Sequence, residues 1–376
     1  MLYKNKIKGQ NILKSAVALM LMLTLSLSTA LSPLAKAEEA KYTWKTLTSV
    51  PATGRARKVY VSPDGSKLFI LETDTANNTN FWMSADDGAT WRKRWSEQTT
   101  IEYASFSTDG SKIVLEDSGS SHFYRSTDGG QSWVANYSMA AAIFSPDGSF
   151  LVGCSVSGGA YTTYISTDNG QTWTQKGTNN IECPRYVSNN GTLIAQDGGD
   201  LARSTDYGQT WTETPDVLDA GGHTAFSNNG NNVFDKDRIS LDGGNHWTPS
   251  NAPIPAGYTF YQTDISDDGK KLVATVKSIA NIREARLLTS VDGGRTWDSE
   301  DLSGNDAAMS NDGSKLFNIY TDNNGRFVYR VGTLPTSQPV TPGSGAGGTV
   351  TPSTGSTSAT PGQKPGKASG RLAETG

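Results

Sequence analysis

Cysteine and histidine are scarce in this chain, with two and three residues among 376. Cys154, Cys183 and the scattered histidines show no close ligand spacing, which leaves nothing from which to build a zinc-type centre. Excess basic charge is also lacking: the formal net charge is -4. An acidic chain is a poor match for a phosphate backbone, and this excludes nucleic acid as the expected partner. Long apolar runs are missing too, with one exception, Ala16 to Leu31. That run follows Lys4, Lys6, Lys8 and Lys14 and is closed by Pro33 and the small-x-small triplet Ala35-Lys36-Ala37. The order basic, apolar, cleavable is that of a secretory signal over residues 1–37. A retained anchor is the alternative, and the run is marginal in length for a span. Cleavage after Ala37 removes five lysines and no acid, so the formal charge moves from -4 to -9.

From residue 333 onward the composition shifts to Gly, Pro, Ser and Thr. Such a segment buries too little apolar surface to offset its ordering entropy, so residues 333–376 are expected to form an extended stalk. The stalk ends in Leu372-Ala373-Glu374-Thr375-Gly376, which resembles a sortase signal and implies attachment to a cell wall. The apolar span and basic tail that follow such signals are not in the sequence, and an accidental match stays open.

What the chain has in abundance is glycine, 40 residues, and tryptophan, nine, and both fall at intervals. The motif Ser-x-Asp-x-Gly-x-(Thr/Ser)-Trp occurs six times, beginning at Ser84, Ser126, Ser166, Ser204, Ser240 and Ser290. The fifth copy carries His246 at the hydroxyl position. Between the copies lies a second motif, an apolar stretch ending in Ser-x-(Asp/Asn)-Gly, with glycines at 65, 110, 148, 191, 230, 269 and 313. Asp-Gly and Asn-Gly between β-branched and aromatic residues signal tight hairpins, because their backbone needs positive φ. The residue before each turn serine is apolar throughout: Val61, Phe106, Phe144, Val187, Phe226, Ile265 and Met309.

Each repeat therefore reads as four antiparallel strands, A to D, with one tight turn between A and B and the other between C and D. Repetition at this period predicts an all-β, seven-bladed β-propeller over residues 38–332. Counts of six or eight blades leave segments over. The seventh repeat lacks a Trp turn and an outer strand, and Tyr42 to Thr48 resembles the strands that follow the Trp turns. That N-terminal strand is expected to complete the last blade, which removes two loose edges. In this frame Cys154 and Cys183 lie at the same end of adjacent blades, where a disulfide is expected, and two buried thiols are the alternative.

The six Trp turns resemble the Asp-box (BNR) repeats of bacterial sialidases, xyloglucan-degrading endoglucanases, the sortilin luminal domain and the propeller-type photosystem II assembly factor. The resemblance implies a fold and not a function. It also implies a structural role for Asp86, Asp128, Asp168, Asp206, Asp242 and Asp292, and for Trp91, Trp133, Trp173, Trp211, Trp247 and Trp297. These aspartates can accept hydrogen bonds from their own loops, and the indoles can fill the space between blades. A calcium-loop reading fails for want of a terminal bidentate Glu. No metal and no cofactor are expected.

A ligand site is then expected on the opposite face, where the B–C and D–A loops meet the channel mouth. Arg57, Arg185, Tyr186, Tyr261 and Asp264 are the ligand-binding candidates, and Glu102 with Asp264 the only pair proposed for catalysis. A sialidase needs an arginine triad and a Tyr/Glu pair, and the Arg-Ile-Pro signature is absent. Other glycosidases need two carboxylates across a cleft. The reading adopted is a monomeric, secreted or wall-attached propeller that binds an extracellular protein or glycan without catalysis. A glycoside hydrolase is the alternative.

Overall fold

The computed structural model describes residues 41–335, except 52–53, 118–121, 180, 198, 216–217, 219–223 and 282. The side chains of residues 56, 57, 179, 197, 304 and 305 are also outside the description. The expected signal segment, the stalk from residue 336 on and the terminal pentapeptide lie outside the described residues, while Thr333, expected to begin the stalk, is the last residue of a strand.

Five of the repeats are separate four-stranded antiparallel sheets, each in simple meander order. They are β2–β5 (Arg55–Val61, Leu68–Thr73, Thr79–Ser84, Arg92–Glu97) and β6–β9 (Ile101–Phe106, Ile113–Asp117, Phe123–Ser126, Val134–Asn136). Next come β10–β13 (Ala141–Phe144, Leu151–Ser157, Ala160–Ser166, Thr174–Asn179) and β14–β17 (Tyr186–Val187, Leu193–Asp197, Asp200–Ser204, Thr212–Thr214). The fifth is β18–β21 (Thr224–Phe226, Val233–Asp235, Arg238–Ser240, Thr248–Pro249). The remainder is β22 (Tyr258–Ile265), β23 (Leu272–Ser278), β24 (Glu284–Ser290), β25 (Asp298–Met309), β26 (Lys315–Thr321), β27 (Phe327–Thr333) and β1 (Thr43–Leu47). These form one sheet in the order β1-β27-β26-β25-β24-β23-β22.

The fold is thus an all-β propeller, and the expectation of seven separate blades is corrected to five. The reason is β25. Its first half pairs with β24 and its second with β26, so one 12-residue strand replaces the loop that separates other repeats. The last two repeats are fused into a seven-stranded sheet.

The N-terminal strand β1 adds to the edge of that sheet, pairing antiparallel with β27 from Thr43↔Thr333 to Leu47↔Tyr329. Gly332 is required there, because a Cβ on it would stand 2.9 Å from the Trp44 ring. Arg330 covers the same indole at 4.0 Å. The Tyr42 hydroxyl donates to the Gly313 carbonyl at 2.6 Å.

The Ser-x-(Asp/Asn)-Gly turns are built alike, with the serine hydroxyl donating to the Asp or Asn side chain and the glycine at positive φ. They also bond to one another in succession. Asp64 N–H donates to Thr108 O, Thr108 N–H to Pro146 O, and Asp147 N–H to the Asn189 side chain. Further on, Asn229 donates to Asp267, Asp267 to Asn311, and Asn311 back to Pro63. The last link ties the end of the chain's repeats to the first.

In each Trp turn the serine hydroxyl donates to the aspartate, as Ser166 does to Asp168 at 2.7 Å, and accepts from the glycine N–H. Thr172 closes the turn by donating both its N–H and its hydroxyl to Asp168. The Thr90 hydroxyl and N–H hold the Asp86 carboxyl at about 2, and the equivalent groups depress the other five aspartates. In four copies the residue before the box glycine sits beside its own A–B turn: Gly129 donates to Ser111 O, Tyr207 to Gly191 O, Gly243 to Asn231 O and Gly293 to Lys270 O. Both turn types therefore share one face.

Several box indoles bridge to the preceding repeat. Trp133 meets Phe81 edge-on and donates to Arg94 O, and Trp173 meets Phe123. Trp297 lies against Phe234, and Trp91 stacks on Phe317 of the last repeat. These partly buried rings pack against the buried strand cores and add apolar contact between sheets. Cys154 and Cys183 are joined by a disulfide, with Cα atoms 5.6 Å apart, that ties β11 to the segment entering β14.

Candidate functional site

Strands β2 and β10 end their sheets, and the second half of β25 pairs only with β26, so their N–H groups on the open edge need partners. Side chains of the preceding repeat supply them. Asp306 Oδ2 accepts from Val59 N–H at 2.8 Å, and Asp264 Oδ2 accepts from Met309 N–H at 3.0 Å. Glu116 Oε1 accepts from Ala142 N–H at 3.2 Å, and the Gln262 amide both donates to and accepts from Ala307. Asp306, Asp264 and Glu116 are thereby occupied as caps for neighbouring backbone.

Burial is the largest influence on each. It pushes Asp264 up to about 7, against the opposing bonds from Met309 and Ile265. Asp306 rises to about 6 for the same reason, despite Val59 N–H and the nearby Lys58 and Lys277. Glu116 is also raised by burial, with Arg185 pulling the other way.

A raised carboxyl pKa means that the folded state binds its proton more tightly than the unfolded chain does. The resulting stability is complete below the unfolded value near 3.8 and is lost as pH rises through 7. Thermal unfolding is expected to show the wild type losing about 2–4 kcal/mol from Asp264 between pH 4 and pH 7.5. In Asp264→Asn that part of the slope vanishes. An identical slope in the variant would place the titration elsewhere. The box aspartates, depressed rather than raised, act only below pH 4 and in the opposite sense.

The loop-end mouth has a second regular feature. Four innermost strands are bulged at the same register, just before the seventh residue ahead of the turn glycine. Pairing skips Arg57 in β2, Glu102 in β6 and Tyr261 in β22, and is interrupted between Ser303 and Asp306 in β25. A bulge leaves its extra residue out of the ladder and re-aims its side chain, a device common beside binding sites. Glu102 and Tyr261 are both exposed; the Arg57 side chain lies outside the described residues. Tyr261 is 49% exposed with Lys277 Nζ 3.0 Å from its ring centre. Next to Glu102, the exposed Tyr103 ring is flanked by Lys58 at 4.3 Å and the Arg185 guanidinium at 4.7 Å. Arg185 also pairs with Glu116 at 3.6 Å. Glu102, Tyr103, Glu116, Tyr161, Glu182 and Arg185 line a cavity of about 270 Å³ against the disulfide.

The structure thus gathers Glu102 and Arg185 at one place on this mouth and adds Tyr261 across the ring register. It does not bring Asp264 to them. Glu102 is the second residue of β6 at its loop end, and Asp264 is the penultimate residue of β22 at its turn end. The proposed catalytic pair is corrected on that account. Tyr186 is corrected as well: it is buried between repeats against Phe226, and desolvation raises its hydroxyl pKa.

Lys58, Gln262 and Lys277 were missed from the sequence. A signal for two of them exists, because Lys58, Tyr103, Gln262 and Asp306 all stand seven residues before the turn glycine. Among the described residues no group of three or more His, Cys, Asp or Glu is placed to hold a metal ion.

The family described as BNR/Asp-box repeat matches residues 164–175, the third box. No curated protein matches the sequence. Among solved structures, the β-propeller domain of Cps50 (Swd1) from Myceliophteria thermophila is similar in fold, with a TM-score of 0.51 and 12% identity. The match covers 78% of this chain and 99% of that one, and at such identity it speaks for the fold alone.

Proposed function

We propose that this Asp-box β-propeller is a non-catalytic binding module, exported from the cell, that takes an extracellular protein or glycan on its loop face. The observation that carries the reading is the register of the four bulges, which set Glu102 and Tyr261 outside the ladder on that face. The capping roles of Asp264, Asp306 and Glu116 support it further, since those carboxylates are engaged with backbone N–H groups. Export and wall attachment rest on the basic-apolar-cleavable leader and on Leu372 to Gly376.

The purified mature chain is expected to show no hydrolysis of fluorogenic sialosides or of a plant polysaccharide panel. It is expected to retain glycans on an array or to capture a defined extracellular protein, with retention reduced at least about tenfold in Glu102→Ala/Tyr261→Ala, as befits loss of a central aromatic anchor. Hydrolysis lost on substituting Glu102 or Asp306 would replace this reading with a glycoside hydrolase.

A further inference from the structure

One wall of the loop-end cavity of about 270 Å³ is a disulfide, since Cys183 lines it and is bonded to Cys154. The two cysteines sit on backbone of very different firmness. Cys154 lies within β11, paired on one side with Ala141 of β10 and on the other with Thr163 of β12. Its carbonyl also accepts from Ala140 N–H at 2.7 Å. Cys183 precedes β14, and among the described residues no backbone bond ties residues 182–184 to a strand. The ladder begins only where Arg185 N–H donates to Ile194 O at 2.9 Å, and β14, with two residues, is the shortest of the innermost strands. Ile181 is buried with Ala195 and Ala202 of its own repeat. That packing holds the segment to the fourth repeat; the disulfide holds it to the third.

The segment held in this way carries recognition groups. Glu182 and Arg185 flank Cys183 on the cavity wall. Arg185 reaches past the third repeat to the second, where it pairs with Glu116 at 3.6 Å and lies over Tyr103 at 4.7 Å. Its side chain is half-exposed, and such contacts hold little by themselves. At the head of β10 the intervening repeat has the small Ala140 and Ala141, and the space they leave is part of the cavity. Cys183 also stands eight residues before its turn glycine, the register that Arg57, Glu102 and Tyr261 hold in other repeats. At the seam between the third and fourth repeats a covalent bond thus takes the place that carboxylate and amide caps take elsewhere.

We propose that Cys154–Cys183 is a redox latch on the loop-face site: closed, it holds Glu182 and Arg185 at the cavity, and opened, it lets their segment leave and widens the mouth. A dithiol opens it by two successive thiolate attacks. The reductant's thiols become its own disulfide, and two electrons and two protons pass to Cys154 and Cys183. Entry is through the cavity that Cys183 lines. The latch rests on the loop-face binding reading for its purpose, whereas its opening is measured without any ligand.

Hydrogen exchange of the full chain, oxidised and after dithiothreitol under native conditions, tests it by mass spectrometry, with alkylation counting the thiols released. A peptide spanning residues 181–187 is expected to exchange at least about tenfold faster once the bond is open, as local opening requires. Strands β10 and β11 keep their rates, as does the turn where Gly191 N–H bonds to Ser188 O at 3.1 Å. Cys154→Ser/Cys183→Ser is expected to show the reduced pattern with no reductant present. Unchanged exchange at 181–187 after complete reduction would overturn the inference. So would reduction that proceeds only in denaturant, or faster exchange throughout the ring, which would make the bond a staple of the whole fold. A glycan or protein retained equally by the oxidised and reduced forms overturns the latch and leaves the binding reading standing. Local opening in a protein that retains neither defeats the binding reading and spares the latch.

Discussion

Leu47→Asp is expected to release β1 and cost more than about 4 kcal/mol, the sum of a lost core side chain and a carboxylate placed in apolar surroundings. Leu47 is 8% exposed and belongs to a cluster with Val59, Val61, Phe317, Ile319, Tyr329 and Val331. That cluster draws on the first repeat and on the last, so Leu47 is packed between the two ends of the ring. It also reaches the first Trp turn, since a Cβ on Gly88 would stand 2.4 Å from its Cδ1. Ser49 reinforces the junction by donating to Gly88 O at 2.9 Å. The readouts are chemical denaturation and limited proteolysis, with new cleavage expected at residues 41–50. Lys45→Asp serves as the comparison. Lys45 lies in the same strand but is exposed, and a change within about 0.5 kcal/mol is expected. Equal stability of Leu47→Asp and wild type would show that β1 is not what closes the ring.

Phe317→Ala should cost about 3–5 kcal/mol, the usual range for emptying a buried aromatic site. Phe317 is fully buried on β26, with Trp91 at 6.0 Å and Tyr329 at 6.3 Å between ring centres. Because Trp91 comes from the first box and Tyr329 from the last strand, the cavity would open at the same seam that Leu47 closes. The two substitutions share neighbours, so their effects should not add, and the double variant is expected to lose less than the sum. Phe317→Leu, which keeps most of the volume, should cost well under half as much. A loss in Phe317→Ala below about 1 kcal/mol, or strict additivity with Leu47→Asp, would mean that the seam is not one packed unit.

The parts of this molecule that could be read from its residues are those with local causes. Six Ser-x-Asp-x-Gly-x-(Thr/Ser)-Trp segments specify their turns through bonds within five residues, so Asp168, Ser166 and Thr172 announce their geometry directly. The tight turns at Gly65 and its counterparts are equally local, because positive φ selects glycine. The orphan strand at Trp44 was legible because its likeness to post-box strands left it only one vacancy.

The candidate site was less legible. Arg57, Glu102 and Tyr261 were singled out as polar residues near a loop, but their shared trait is a bulge, which depends on how a strand pairs and not on composition. Asp264 was misjudged for a related reason. An acid on an inner strand looks available until the next repeat's Met309 N–H is placed against it.

By itself, the sequence determined the repeat, its four-stranded unit and the strand that joins the two ends, since the chemistry of the two turns acts over a few residues. Only the tertiary structure decided that β25 runs unbroken between the last two repeats, and that Asp306 and Asp264 cap backbone N–H groups of neighbouring repeats. Each of these depends on the approach of strands from different repeats, and such distances are set by packing around the whole ring.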